Sequence, residues 1–410
     1  MNKENKKKSK KWLRFRHKVV RNIAYCLLSP YSKIKYGIKV EKFKDQGDRA
    51  YLVLYNHQTA FDQFFVGMAF KGPVYYVASE DLFSNGVVSS LIKYLVAPIP
   101  IKKSMTDVRA VIDCKRVAKE GGTIAIAPEG NRTFSGKTGY IKPAIAQLVK
   151  ALRLPLVIYR LDGGFGVQPR WSDVTRKGKM LCYVSKVIEY EEYSSLSDDE
   201  LYTLICNELE INESQIDRCF KHKKSAEYLE RAMYYCPECG FSEWESHKDT
   251  ITCKKCSTTV RYLPTKELEG VGKPFPYRFL SEWYKAQCDF VISSDLSEYK
   301  DKPIYQDFSK ELLRVIPYKT KFKLASDIMF SVYNDRFTFE GNGYYQEIPF
   351  DHITAVSVLG RNKLNIYING NIIQIRTKNK RFNALKYMNL YYHAANMMKG
   401  VIENDKLLGI

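Results

Sequence analysis

The sequence predicts an α/β domain with a central mixed sheet, then a short cysteine-bearing module, then a small β domain closed by a C-terminal helix. Three observations predict it. Between residues 50 and 190, apolar strand-like runs alternate with helical patterns, as a layered α/β sheet requires. Two CxxC pairs follow, at Cys236–Cys239 and Cys253–Cys256. From about residue 300 the pattern becomes alternating apolar and polar, with Asn369-Gly370 as a hairpin signal. The chain therefore divides into a basic amphipathic segment (1–30), the α/β domain (31–232), the cysteine module (233–263), a linker with a short helix (264–299) and the β domain (300–410).

The basic segment opens with Lys3, Lys6, Lys7, Lys8, Lys10 and Lys11. At helical spacing Trp12, Phe15, Val19, Ile23 and Leu27 then share one face, with Arg14, Lys18 and Arg21 opposite and Arg16 interrupting. This is the pattern of an interfacial helix drawn to anionic lipid. The alternative is an amphipathic helix packed on its own domain. The 410-residue chain carries a formal net charge of +20, which favours phosphate-bearing partners. No apolar run approaches the ~20 residues that span a bilayer, and no signal-peptide pattern is visible. The expected location is cytoplasmic, peripheral on the inner face of the membrane.

In the α/β domain the strand candidates are YLVLYN, PVYYVAS, TIAIAP, LPLVIYR and MLCYVSKVI. Helix candidates are 62–70, 86–96, 105–120 and 140–152. The segment SLSDDELYTLICNELEINESQIDRCF opens with a capping pattern and reads as the closing helix. Two segments carry chemistry, and both follow strands, where open α/β sheets place their sites. In NHQTAFDQ, His57 precedes Asp62. A neutral imidazole can take a proton from an attacking hydroxyl, and a carboxylate can hold that imidazole in the correct tautomer. No Ser or Cys nucleophile stands beside His57, which favours direct attack by a substrate hydroxyl. In PEGNRT, Arg132 offers a planar fork suited to phosphate. Gly130 lets the backbone approach closely, and Glu129 orients a polar neighbour. The bland alternatives are a helix-capping Asp beside a turn histidine, and a turn held by an Arg–Glu pair.

These motifs, in this order, resemble the glycerolipid acyltransferase superfamily over roughly residues 12–225, in particular the 1-acylglycerol-3-phosphate acyltransferases. NHQTAFD matches the family's NHxxxxD in full. EGNRT matches its EGTR-like motif with Asn131 in place of Thr. The resemblance implies that His57 is the general base and Asp62 its orienting partner. It implies that Glu129, Gly130, Asn131 and Arg132 bind the acceptor's glycerol phosphate. The family's intermediate arginine motif aligns with APIPIKKS, where Lys102 and Lys103 replace Arg. Its proline-rich block aligns with LPLVIYRLDGG, where Pro155 is kept and Tyr159 replaces the second proline.

Cys236, Cys239, Cys253 and Cys256 have the spacing of a tetrahedral structural zinc site in a zinc ribbon. Two redox dithiols are the alternative. Cys26, Cys114, Cys182, Cys206, Cys219 and Cys288 read as ordinary core or helix residues. In the last domain a final helix carries Leu385, Met388, Tyr392 and Ala395 on one stripe. Strands closed by one helix resemble a pleckstrin-homology-type domain, which binds headgroups or peptides or simply packs. Lys378, Lys380 and Arg381 could meet phosphate or form a solvated basic turn.

The resulting expectation is a peripheral acyltransferase. Its acyl donor is a thioester, acyl-CoA or acyl-carrier protein. Its acceptor is a lysophospholipid, foremost 1-acylglycerol 3-phosphate. Its partners include an anionic membrane surface and, as donor, an acyl-carrier protein; no nucleic acid is expected. The rivals are a non-catalytic lipid or protein adaptor on an acyltransferase scaffold and, more weakly, a nucleic-acid-binding ribbon protein.

Overall fold

The computed structural model describes residues 11–102, 107–317, 319–398 and 400. Lys3, Lys6, Lys7, Lys8, Lys10 and Lys103 therefore lie outside the described residues.

The first domain opens with helix α1 (Phe15–Tyr36) and runs β1 (Ile38–Val40), β2 (Leu52–Tyr55), α2 (Asp62–Ala69), β3 (Val74–Ser79), α3 (Val87–Val96), β4 (Ile99–Ile101), α4 (Val108–Lys119) and β5 (Thr123–Ile126). It continues with α5 (Ala144–Leu152), β6 (Leu156–Asp162), α6 (Gly164–Val167), β7 (Met180–Ile188), α7 (Tyr190–Ser194) and α8 (Asp198–Leu209). Strand order is β1-β7-β6-β2-β5-β3-β4. The β6–β7 pair is antiparallel and the other pairs are parallel, so the sheet is mixed. Central strand β2 is buried on both faces. Val53 and Tyr55 join one core cluster, and Leu52 and Leu54 the other, which is why this strand reads as a continuous apolar run.

Local chemistry sets the helix limits. Gly37 ends α1 at φ 57°, and a Cβ there would stand 2.1 Å from the Gly178 carbonyl oxygen; only glycine fits. Asp107 caps α4 by accepting from the Arg109 and Ala110 amides. Ser197 and Glu200 form a capping box for α8. That helix stops at Leu209, well short of the full SLSD…RCF segment expected to be helical. Its carbonyl end is taken up instead: the Thr138 hydroxyl donates to Leu209 O at 3.0 Å, and Arg160 Nη1 donates to Glu208 O at 2.8 Å.

The apolar stripe of α1 is not packed on its own domain, as the alternative reading required: Phe15 is 82% exposed, and Val19, Ile23 and Leu27 are exposed with it. Arg21, on the opposite face, turns inward and donates to the Gly67 and Phe70 carbonyls.

The cysteine module contains the two-stranded ribbon β8 (Tyr235–Cys236) and β9 (Gly240–Phe241). A four-stranded antiparallel sheet follows: β10 (Trp244–His247), β11 (Thr250–Cys253), β12 (Thr259–Tyr262) and β13 (Leu268–Val271). Strand β13 lies beyond the boundary expected at residue 263, so the linker begins inside this sheet. Helix α9 (Leu280–Ser293) follows and is core rather than connector: Leu280, Trp283 and Val291 are fully buried.

The last domain is a seven-stranded antiparallel sheet: β14 (Tyr305–Ile316), β15 (Thr320–Val332), β16 (Arg336–Gly341), β17 (Tyr344–Pro349), β18 (Ala355–Leu359), β19 (Lys363–Ile368) and β20 (Asn371–Arg376), in the order β17-β16-β15-β14-β20-β19-β18. Asn369-Gly370 turns β19 into β20, and α10 (Ala384–Met398) packs on the sheet. One apolar cluster runs from Phe134, Phe165 and Trp171 of the first domain through the cysteine module and α9 into this sheet. The module is thus a wedge that fixes the β domain on the α/β domain. Arg381, considered above as a phosphate ligand, belongs to that wedge, bonding Glu230 and the Ser246 carbonyl.

Candidate active site

Strands β2 and β5 are parallel neighbours, so the loops leaving their C-terminal ends emerge side by side. The first loop carries His57 and folds around Asp62, the first residue of α2. His57 Nδ1 and Asp62 Oδ2 are 2.8 Å apart. Asp62 is fully buried and also accepts the Gln58 amide at 2.6 Å, the Thr59 amide at 2.9 Å and the Thr59 hydroxyl at 2.6 Å. These donors fix the direction of the carboxylate. With Nδ1–H given to Asp62, Nε2 is the nitrogen that takes a proton. The Tyr55 ring stands edge-on to the imidazole, with centroids 6.2 Å apart.

Asn56 pins this loop to the sheet. Its amide donates to Leu161 O at 2.9 Å and accepts from Leu161 N at 2.8 Å, closing a two-bond clamp from β2 to β6.

The second loop supplies Glu129, Gly130, Asn131 and Arg132. Glu129 is buried, and its two carboxylate oxygens accept the His57 amide and the Gly139 amide, each at 2.7 Å. It lashes the two loops together. Burial pushes its carboxyl up to about 8, against the pull of the two amides. Gly130 sits at φ 66° with nothing within 4 Å of a Cβ built there. A left-handed turn, rather than close backbone approach, requires the glycine.

Arg132 of this loop lines a cavity. The residue is half-buried, and Nη1 of its guanidinium is buried with no hydrogen-bond partner among the described residues. Burial lowers it to about 10, against the attraction of Asp62. A buried unpaired charge is costly, and an anion entering beside it would relieve that cost.

His57, Glu129, Gly130, Asn131, Arg132 and Lys102 all line one cavity of about 1200 Å³. Lys102 is exposed at the end of β4, its amide held by Asp107 at 2.9 Å. Tyr159 stands beneath the site, its hydroxyl 3.3 Å from Phe65 O. The cavity wall is largely apolar: Val20, Ala24 and Leu28 of α1, Phe64 and Met68 of α2, and Leu95 and Val96 of α3. It also includes residues of the β domain, which the sequence did not assign to this site. The buried Arg170 makes that junction. It donates to Arg132 O at 2.8 Å, Gly360 O at 2.8 Å and Val358 O at 2.6 Å, and stacks over Phe134 at 4.3 Å.

The four cysteines predicted as metal ligands come together away from this cavity. Their sulfurs lie within 4.8 Å of one another, with Cys236 and Cys256 Sγ at 3.6 Å. A tetrahedral ion with metal–sulfur bonds of about 2.3 Å needs sulfurs about 3.8 Å apart, so this donor set fits zinc.

The fold and the paired loops define an acyltransferase-type α/β domain, and residues 37–160 match the family model described as Acyltransferase. Among solved structures the chain is similar to the 1-acyl-sn-glycerophosphate (LPA) acyltransferase PlsC from Thermotoga maritima. That likeness has 21% identity and a TM-score of 0.40, over 48% of this chain and 80% of the other. No curated protein matches the chain.

Proposed function

We propose that the protein transfers a fatty acyl group from a thioester, acyl-CoA or acyl-carrier protein, to the hydroxyl of a lysophospholipid, foremost 1-acylglycerol 3-phosphate. The observation that carries this reading is the His57–Asp62 pair in one large apolar cavity with the unpartnered Arg132 guanidinium. Such a cavity suits an acyl chain, a buried cation suits a phosphate, and an imidazole held by a carboxylate suits proton removal from a hydroxyl.

In this mechanism His57 Nε2 takes the acceptor hydroxyl's proton as its oxygen attacks the thioester carbonyl carbon. The tetrahedral intermediate collapses, the carbon–sulfur bond breaks, and the imidazolium returns the proton to the leaving thiolate. Asp62 holds the ring and stabilises its charged form. Arg132 positions the acceptor phosphate, with Lys102, which lines the cavity, as a further cation; the proposed role of Lys103 falls outside the described residues.

The acceptor would arrive from a membrane. The exposed face of α1 (Phe15, Val19, Ile23, Leu27, Tyr31, Ile34) adjoins that of α3 (Val87, Val88, Leu91, Tyr94), and Lys18, Lys33 and Lys35 are exposed along α1. The inner faces of both helices line the cavity. An apolar, basic-fringed surface of this kind favours an anionic bilayer. No described helix is long and apolar enough to cross one. The four-cysteine site would hold zinc structurally, since four thiolates leave no open position for chemistry. The strand order and closing helix of the β domain support a pleckstrin-homology-type reading of it.

The test incubates purified protein with labelled lysophospholipids and long-chain acyl-CoA or acyl-carrier-protein donors. Phosphatidic acid from 1-acylglycerol 3-phosphate is expected. No product from any pairing, with zinc bound and the fold intact, would overturn the reading in favour of an adaptor.

A further inference from the structure

Besides Arg132 the cavity contains a second set of cations, contributed entirely by the β domain. Lys321 of β15, Lys363 of β19 and Arg376 of β20 line it. Lys363 and Arg376 face each other across the β19–β20 ladder, one step beyond the Leu364–Ile375 pair. Like charges directly opposite on a sheet oppose folding. None of the three forms an ion pair among the described residues. Lys321 and Lys363 have no side-chain hydrogen bond there, and Arg376 donates only through Nε to Gln374 at 2.9 Å. Burial lowers both lysines, and the charge of Arg376 lowers them further, opposed by Asp81.

Two acidic groups adjoin the set: Glu311, which pairs with Arg376 across the β14–β20 ladder, and Asp81; neither forms an ion pair with the three cations among the described residues. Asp81 is buried after β3 and accepts from Asn365 at 3.0 Å, which in turn accepts from Gln374 at 2.8 Å. This buried relay fastens the β19–β20 ribbon to the α/β domain, and with it the strands that carry Lys363 and Arg376; Lys363 itself is exposed.

Arg132 stands in the loop after β5 and Lys102 ends β4, whereas Lys321, Lys363 and Arg376 stand on strands of the β domain. Asp62 is among the charges acting on Arg132, and Asp81 among those acting on the two lysines. The cavity thus carries cations on distinct elements, and the β-domain set does not belong to the loop that holds Arg132. In a glycerol phosphate the free hydroxyl lies only a few bonds from phosphorus, so that phosphate must sit beside His57, at Arg132. A pantetheine thioester carries its phosphate at the far end of a long arm and needs a remote cation site.

We propose that Lys321, Lys363 and Arg376 form a phosphate subsite for the pantetheine arm of the acyl donor, so that the β domain completes the active site. This rests on the acyl-transfer reading and names the role of the β domain within it. Three cations on a phosphate are worth at least one charge-assisted bond, or about tenfold in affinity.

The test measures binding of CoA, and of phosphate-free pantetheine, to the wild-type chain, to His57→Ala and to the triple variant K321A/K363A/R376A, with melting curves for each. The expected result is that His57→Ala binds CoA like wild type, the triple variant binds it about tenfold or more weakly, and pantetheine binds both alike. In turnover, the triple variant should raise the KM for acyl-CoA and leave the KM for the acceptor at its wild-type value. The binding readout stands without turnover, so it separates failure of this subsite from failure of the acyl-transfer reading. If the triple variant misfolds, Lys363→Gln alone should weaken CoA binding by several-fold. Unchanged CoA binding in a folded variant, or a rise in the acceptor KM alone, would overturn the proposal.

Discussion

The paired loops after β2 and β5 and the two cysteine knuckles solve the same problem with opposite outcomes. Each draws four or more polar side chains from two chain segments into one place. In the knuckles every donor points inward to a common centre, and the sulfurs close on each other within 4.8 Å. In the loops, some polar groups are taken up in holding geometry and others keep bonding capacity. Asn56, Asp62 and Glu129 are spent on backbone amides and carbonyls, while Arg132 keeps a buried nitrogen without a hydrogen-bond partner among the described residues. Nitrogens of Arg21, Arg160, Arg176, Arg218 and Arg336 likewise lack a hydrogen-bond partner there, so it is the place of Arg132, in the loop tied to His57 and lining the same cavity, that sets it apart.

The largest effect expected is on the closed centre. Stripping the metal with a strong chelator, or Cys253→Ser, should lower thermal stability by several kcal/mol or more, because structural zinc binding is folding free energy. Melting curves with metal analysis check it. An unchanged melting temperature in a zinc-free protein would break the contrast drawn above.

Glu129→Ala should come next. It strands the His57 and Gly139 amides, at roughly 1–3 kcal/mol each, and frees the loop bearing Arg132. Denaturant unfolding should show the loss, and activity should fall with it. Asn56→Ala should cost about 1–3 kcal/mol for the same reason, with two Leu161 groups left unpaired.

Arg132→Met sharpens the comparison because its two readouts diverge. Removing a buried, poorly partnered charge should leave stability unchanged or raise it by about 1 kcal/mol. The acceptor KM should rise at least about tenfold. A loss of stability equal to that of Glu129→Ala would make Arg132 a framework residue instead.

The smallest effect is on the outer surface. Ile23→Glu with Val88→Glu touches exposed positions only, so stability should change by less than about 0.5 kcal/mol. Sedimentation with anionic vesicles should fall clearly.

The sequence revealed most where the causes are local. The spacing of His57 and Asp62 is one loop between a strand and a helix, so their proximity could be read from NHQTAFD. The strands were readable because burial on both faces leaves continuous apolar runs such as LVLY. Thr59 went unread: its hydroxyl and amide grip Asp62, but a loop threonine looks like any other. Arg170 went unread for a different reason. Its partners are at Arg132, Val358 and Gly360, and no local pattern announces a contact between domains. The α1 stripe was readable as amphipathic, but which side faces outward depends on Arg21 finding carbonyls on α2 and beyond. The extent of α8 was overread because the periodicity continues past Leu209, while the chain turns there to bond Thr138 and Arg160.

The measurement that tests the central claim most directly compares initial rates of acyl transfer by the wild type and by His57→Ala, with melting curves for both. A general base contributes roughly 10²–10⁴-fold, so the account predicts a loss of at least about 100-fold in a variant that melts like the wild type. A folded His57→Ala protein with near-wild-type turnover would contradict it.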